Sequence, residues 1–398
     1  MIELDKIFIR RDNNKVFFCA TIKIDHIVQE LWFSTDKKFE KYIALTNGDC
    51  FALALFIYAI FTNKSFICNV PVSKRLKYGL IHVLLNTFIK NGVCSKELTI
   101  DFKFEDETTF PDATGIGTAM SLGVDSFYTL SKNIESSHAV NILTLFNGGA
   151  YGEYGGDVAR DLFEKMKQHV SNLSEDFGLD FLWVDTNLNE VLKMPFVKTH
   201  TFRNFACVLM FQKLFKTYYY ASGTTLDNFK LNFNDPMYYD LLNSKAIAGN
   251  SLEFHISGLN EGRLFKTQVI SEHPLTFNNL NVCLITSDNE KLSKNNKKLI
   301  NCSKCFKCIR TMVTLEVLGK LHLYKNVFDL NVYKENKEKY LAEILYNKIR
   351  ANNIFSQEIL GQIKLNKYHI SYKVYYYLFL RVLQPLGKRI NNSKNLKY

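Results

Sequence analysis

From Gly115 onward the chain alternates short apolar strands with amphipathic helices, and this alternation limits the possible folds more than any other feature. Thr118–Ser121 and Val140–Phe146 read as the first two strands. Asp157–Leu173 reads as a helix, with Val158, Leu162, Met166, Val170 and Leu173 near one face. Phe181–Val184 reads as a third strand, Phe202–Leu214 as a helix and Tyr218–Ser222 as a fourth strand. Such alternation predicts an α/β fold, a parallel sheet with helices on both faces. Ligands of such sheets bind beyond the carboxyl ends of the strands. Those ends are Ser121, Asn147-Gly148-Gly149, Asp185-Thr186-Asn187 and Ser222-Gly223-Thr224, all small or polar.

The first strand leads into Ser121-Leu122-Gly123-Val124-Asp125-Ser126, followed by a helix in which Phe127, Leu130 and Ile134 share a face. A hydroxyl-rich turn between strand and helix aims backbone N–H groups and the positive helix end at one point, a geometry that favours phosphate. The plainer alternative is a helix cap made by Ser121 or Asp125. A second signal is Cys302-Ser303-Lys304-Cys305-Phe306-Lys307-Cys308. Cysteines spaced C-x-x-C-x-x-C converge readily on one tetrahedral ion, and a closed site needs a fourth ligand. Cys283, at the end of an expected strand Leu280–Cys283, is the candidate. An iron–sulfur cluster is the competing occupant. Cys19, Cys50, Cys68, Cys94 and Cys207 sit in apolar contexts and read as small core residues.

The S-x-G-x-D-S loop resembles the pyrophosphate loop of the PP-loop ATP pyrophosphatase superfamily, whose fold is of the adenine nucleotide alpha hydrolase type. It lacks the G-x-x-x-x-G-K-[ST] pattern of P-loop kinases and GTPases. Together with the later cysteines it is similar to the 7-cyano-7-deazaguanine synthase family, and more closely to a synthase-like branch with Glu272-His273-Pro274 and a cysteine at position 283. The resemblance covers roughly residues 113–320. It implies an ATP-dependent adenylating enzyme, an AMP- and pyrophosphate-forming ligase or synthase. Ser121, Asp125 and Ser126 would be its catalytic residues. Residues Ser121, Leu122, Gly123, Val124, Asp125 and Ser126, with Asn147, Gly223 and Thr224, would hold ATP. Asp125 would lie near Mg2+ or hold the loop in shape. Cys283, Cys302, Cys305 and Cys308 would hold Zn2+. Leu122 stands where the family carries a small residue, often glycine, and Cys283 lies further upstream of Cys302 than in the synthase.

Arg203, Asp227, Arg263 and Lys266 are further substrate candidates. Arg203 could meet a phosphate or carboxylate. Arg263 and Lys266 lie three apart on one helix face, for which a solvated basic face is the alternative. The chain divides in expectation into an N-terminal α+β unit (1–112), an ATP-binding domain (113–282), a cysteine-rich segment (283–320) and a basic helical extension (321–398). Tyr340–Ile349 and Tyr372–Leu383 are the clearest helices of that extension. The net charge of +11, with lysines enriched at Lys291–Lys298 and after Arg381, is compatible with nucleic-acid binding. It fits an anionic small-molecule substrate as well, which the reading prefers. A tRNA-modifying PP-loop enzyme and a non-catalytic nucleotide sensor are the alternatives. The N-terminus does not read as a signal peptide, and the longest apolar run, Phe51–Phe61, is too short to span a bilayer. The expected setting is cytoplasmic, without membrane contact, and a homodimer stays open.

Overall fold

Ten strands hydrogen-bond side by side in the order β10-β9-β6-β7-β8-β3-β2-β1-β4-β5 in the computed structural model, which describes residues 1–135, 138–283 and 300–394. The N-terminal strands β1 (Ile2–Asp12), β2 (Lys15–Ile24) and β3 (Ile27–Asp36) form an antiparallel meander. Its tight turns place Asn13, Asp25 and His26 at positive φ, which Asn and Asp tolerate better than most residues. After α1 (Asp49–Thr62), β4 (Phe66–Ser73) returns parallel to β1. Helices α2 (Lys74–Tyr78) and α3 (Asn86–Lys90) are joined by a π-helical stretch, Gly79–Leu85, and β5 (Ile100–Asp106) closes that edge.

The other half of the sheet is parallel throughout. It comprises β6 (Gly115–Ala119), β7 (Ile142–Phe146), β8 (Asp180–Thr186), β9 (Phe215–Ala221) and β10 (Glu253–Ser257). The connecting helices are α4 (Val124–Asn133), α5 (Asp157–Asp176), α6 (Leu188–Leu192), α7 (Phe196–Leu209) and α8 (Asp240–Ala246). The chain steps from β6 through β7 to β8, then returns to the far side of β6 for β9 and β10. Right-handed crossovers put the helices of the outward and return steps on opposite faces. The order reverses between β6 and β9, and a doubly wound sheet opens its binding crevice at such a point. The two strands approach closely here: a Cβ on Gly117 would meet the Phe215 ring at 2.5 Å.

All ten strands belong to one compact unit, Met1–Ser121 with Thr129–Leu259. The break expected near residue 112 falls inside it, because β3 pairs antiparallel with β8 through Phe33–Thr186 and Ser34–Asp185. The second unit, Leu122–Tyr128 with the chain from Asn260 onward, is helical. It contains α9 (Arg263–Ile270), α10 (Leu275–Asn279), α11 (Phe306–Val317), α12 (Leu330–Ala351), α13 (Ile354–Leu365) and α14 (Tyr372–Lys394). Helix α11 is central and packs on α9, α12 and α13. Asp329 and Asn353 cap α12 and α13 by accepting from their first-turn N–H groups. The expected strand Leu280–Cys283 is absent: this stretch is irregular, and the backbone N–H groups of Val282 and Cys283 go to a side chain instead of a ladder. Lys291–Lys298 and the last four residues lie outside the described residues. Among those described, no helix is long and apolar enough to cross a membrane.

Candidate functional site

The loop after β6 is held by its own residues. Leu122 adopts a left-handed φ of 59°, which costs a non-glycine residue about 1–2 kcal/mol. Its side chain is fully buried and its carbonyl accepts from the Asn281 N–H at 2.7 Å, so surrounding structure sustains the conformation. The backbone here takes the shape that glycine adopts most readily, at the position where the resemblance expects a small residue. The Ser126 hydroxyl donates to the Gly123 carbonyl at 3.0 Å and closes the turn, while Ser121 is exposed. The helix dipole at the start of α4 favours negative charge.

Asp125, in that first turn, is met by protein cations. Arg263 Nη2 lies 2.7 Å from Oδ2 and Lys266 Nζ 3.7 Å from Oδ1. These contacts tie the start of α4 to α9. The alternative of a solvated basic face on α9 is overturned, since Lys266 is only 2% exposed. Two more cations come from α11. Arg310 is 8% exposed and its guanidinium lies 4.3 Å from the centre of the Phe355 ring. Lys307 precedes it on the same turn. Burial, aided by Arg263, pulls Arg310 down to about 9. Burial and Arg310 pull Lys307 down to about 8. Arg310, Arg263, Phe355 and Glu358 line a small cleft with Leu264, Thr267, Thr311, Thr314 and Ile359. Glu358 accepts from the Leu264 N–H at 2.7 Å, and burial raises its carboxyl above the ordinary range.

The four cysteines come together. Their sulfur atoms all lie within 4.8 Å of one another, a set able to bind a metal ion. Cys283 Sγ is 3.8 Å from that of Cys305, Cys302 is 3.8 Å from Cys308, and Cys305 is 3.4 Å from Cys308. Hydrogen bonds from the other three thiols hold Cys283 far below the usual thiol range. Asn301 builds the frame. Its Oδ1 accepts from the N–H groups of Val282 and Cys283, and its Nδ2 donates to the carbonyls of Leu280 and Val327. Ser303, at φ 58°, turns the chain between Cys302 and Cys305. Its carbonyl accepts from Tyr340 at 2.8 Å. The other five cysteines are buried in the first unit, as expected.

In the first unit the strand-end candidates serve one another. Asn147 donates to Asp185 at 2.8 Å, and its carbonyl accepts from Asn189. The Ser222 hydroxyl accepts from the Thr224 N–H and donates to the Thr224 carbonyl, shaping the turn through Gly223. Asp227 is exposed in a short 3-10 turn. Arg203 is buried and donates to the Gly148 carbonyl, Asn189 Oδ1 and the Met194 carbonyl. Its charge is committed to protein oxygens, so it braces the Gly148–Gly149 turn where a ligand contact was expected.

Lys307, Arg310, Phe355, Glu358 and Asn301 carried no sequence-level assignment. The signal for two of them lay in and just beyond the cysteine motif. Cys305 and Cys308 are three apart, as are Lys307 and Arg310, and the two-residue offset sends the pairs to different sides of one helical turn. No protein-family model matches this chain, and neither a curated protein nor a solved structure is detectably similar to it.

Proposed function

We propose that this protein is an ATP-dependent adenylating enzyme of the PP-loop type. The observation that carries the reading is the position of Ser121–Ser126, at the end of β6, the strand at which the sheet order reverses, and at the N-terminus of α4. The left-handed Leu122 and the buried Ser126 support it by giving the loop a fixed shape.

The loop amides hold the terminal phosphates of ATP and leave the α-phosphorus open. A substrate carboxylate or amide oxygen attacks that phosphorus, the bond to the bridging oxygen breaks, and pyrophosphate leaves. Ammonia, an amine or a sulfur nucleophile then attacks the activated carbon and AMP departs with the oxygen. Catalysis comes from positioning and from charge fixed in advance. The four-cysteine set takes Zn2+ in this reading. A zinc tetrahedron with Zn–S near 2.3 Å has sulfur–sulfur edges of roughly 3.8 Å, against the 3.4 and 3.8 Å separations here. A closed thiolate set supplies structure and leaves no open position for chemistry.

Pyrophosphate release from ATP in the presence of candidate carboxylates tests this reading. Ser126→Ala and Asp125→Asn are expected to lower the release at least tenfold while the protein keeps its metal. Full turnover in both variants would refute the site.

A further inference from the structure

We propose that α9, α11 and α13 form a binding site for a phosphate-type oxyanion, with Arg310 as its principal donor and Arg263 and Lys307 as flanking charges. The site rests on the geometry of the helical unit and does not require that ATP be cleaved.

Buried cations normally meet an acceptor, because desolvating an uncompensated charge is costly. Arg310 breaks that pattern. It is more than nine-tenths buried and lines the cleft, yet among the described residues its guanidinium has neither a hydrogen-bond acceptor nor an ion-pair partner. Its guanidinium lies 4.3 Å from the centre of the Phe355 ring, which also lies 5.6 Å from Arg263. A ring of this kind holds a guanidinium by cation–π attraction and leaves its N–H edge available.

The rest of the lining offers no competing donor. Thr267, Thr311 and Thr314 donate their hydroxyl hydrogens to the carbonyls of Arg263, Lys307 and Arg310 in their own helices. Glu358 receives the Leu264 N–H at the start of α9. Arg263 and Lys266 share Asp125, and Lys307 stands one turn before Arg310, so the cleft has a cation-rich rim. Arg310 presents the planar fork that phosphate oxygens accept in pairs. The cysteine motif thereby does two things on one turn: Cys305 and Cys308 fix the start of α11, and Lys307 and Arg310 point its charge elsewhere.

The probe is inorganic pyrophosphate, titrated calorimetrically into the metal-loaded full-length protein. Wild type is expected to bind one equivalent, and Arg310→Gln to weaken binding about tenfold or more. Lys320→Gln, at a surface ion pair with Glu272, is expected to bind like wild type. Displacement of pyrophosphate by a non-hydrolysable ATP analogue assigns the site to the nucleotide's own phosphates. Simultaneous binding assigns it to a phosphoryl group on the acceptor, and either result supports an oxyanion site. Should Arg310→Gln lose its metal or its fold, Arg310→Lys is expected to bind within several-fold of wild type and Lys307→Gln to bind more weakly than either. No binding by wild type, equal binding by Arg310→Gln, or an equal loss in Lys320→Gln overturns the proposal.

Discussion

Arg203 and Arg310 are both buried arginines beside a phenylalanine, and they differ in what their N–H groups meet. Arg203, in the sheet unit, donates to three protein oxygens around the Gly148 turn. Arg310, in the helical unit, faces an aromatic ring and a cleft. The first arrangement commits both terminal guanidinium nitrogens to protein oxygens and leaves only Nε without a partner; the second is the one proposed to take an anion. Burial alone therefore does not separate a structural charge from a functional one, and the accounting of acceptors does.

The largest effect should come from undermining the ground on which Arg310 stands. Cys308→Ser is expected to lose the bound metal and unfold the helical unit, since structural sites of this kind contribute on the order of 10 kcal/mol. Metal content and thermal unfolding read this out, and a variant that kept both would detach α11 from the cysteine site. Next comes the comparison itself. Arg203→Met leaves three buried oxygens without their donor and should cost about 3–5 kcal/mol in urea denaturation. Arg310→Met strands no partner and should be neutral, or stabilising by about 1–2 kcal/mol. Equal losses would erase the distinction between the two residues.

Leu122→Gly relieves a left-handed residue but deletes a buried side chain. The cavity outweighs the strain, so a net loss of about 1–3 kcal/mol is expected. The most gradual effect is a pH slope in the sheet unit. Burial raises Asp49 and Asp240 from 3.8 to about 6. Each binds its proton more tightly when folded, so stability rises as pH falls from above 6 toward 4, by at most about 3 kcal/mol per group. Asp49→Asn should shallow that slope in pH-dependent denaturation, and an unchanged slope would place it elsewhere.

Periodicity and polar strand ends made the parallel half of the sheet legible in the sequence. The weld between β3 and β8 was hidden, because two residue pairs joining positions 33–34 to 185–186 leave no local pattern. At the metal site, Cys283 was legible through ligand chemistry although the strand expected to deliver it does not form. Asn301 was not legible, since an asparagine beside a cysteine says nothing about which backbone will return to meet it. Arg310 was masked by its setting: just beyond cysteines spaced three apart, an arginine reads as filler until the absence of an acceptor for it is seen. Arg263 and Lys266 shared a helix face as expected, but the anion they meet, Asp125, lies far away in sequence.

Asn301 has a consequence for how the chain can be altered. One amide side chain grips both the approach to Cys283 and the carbonyl of Val327, so a single substitution such as Asn301→Ala would release two backbone segments of the sulfur cage at once, and Asn301→Asp would keep the acceptor for Val282 and Cys283 while losing the donor to Leu280 and Val327.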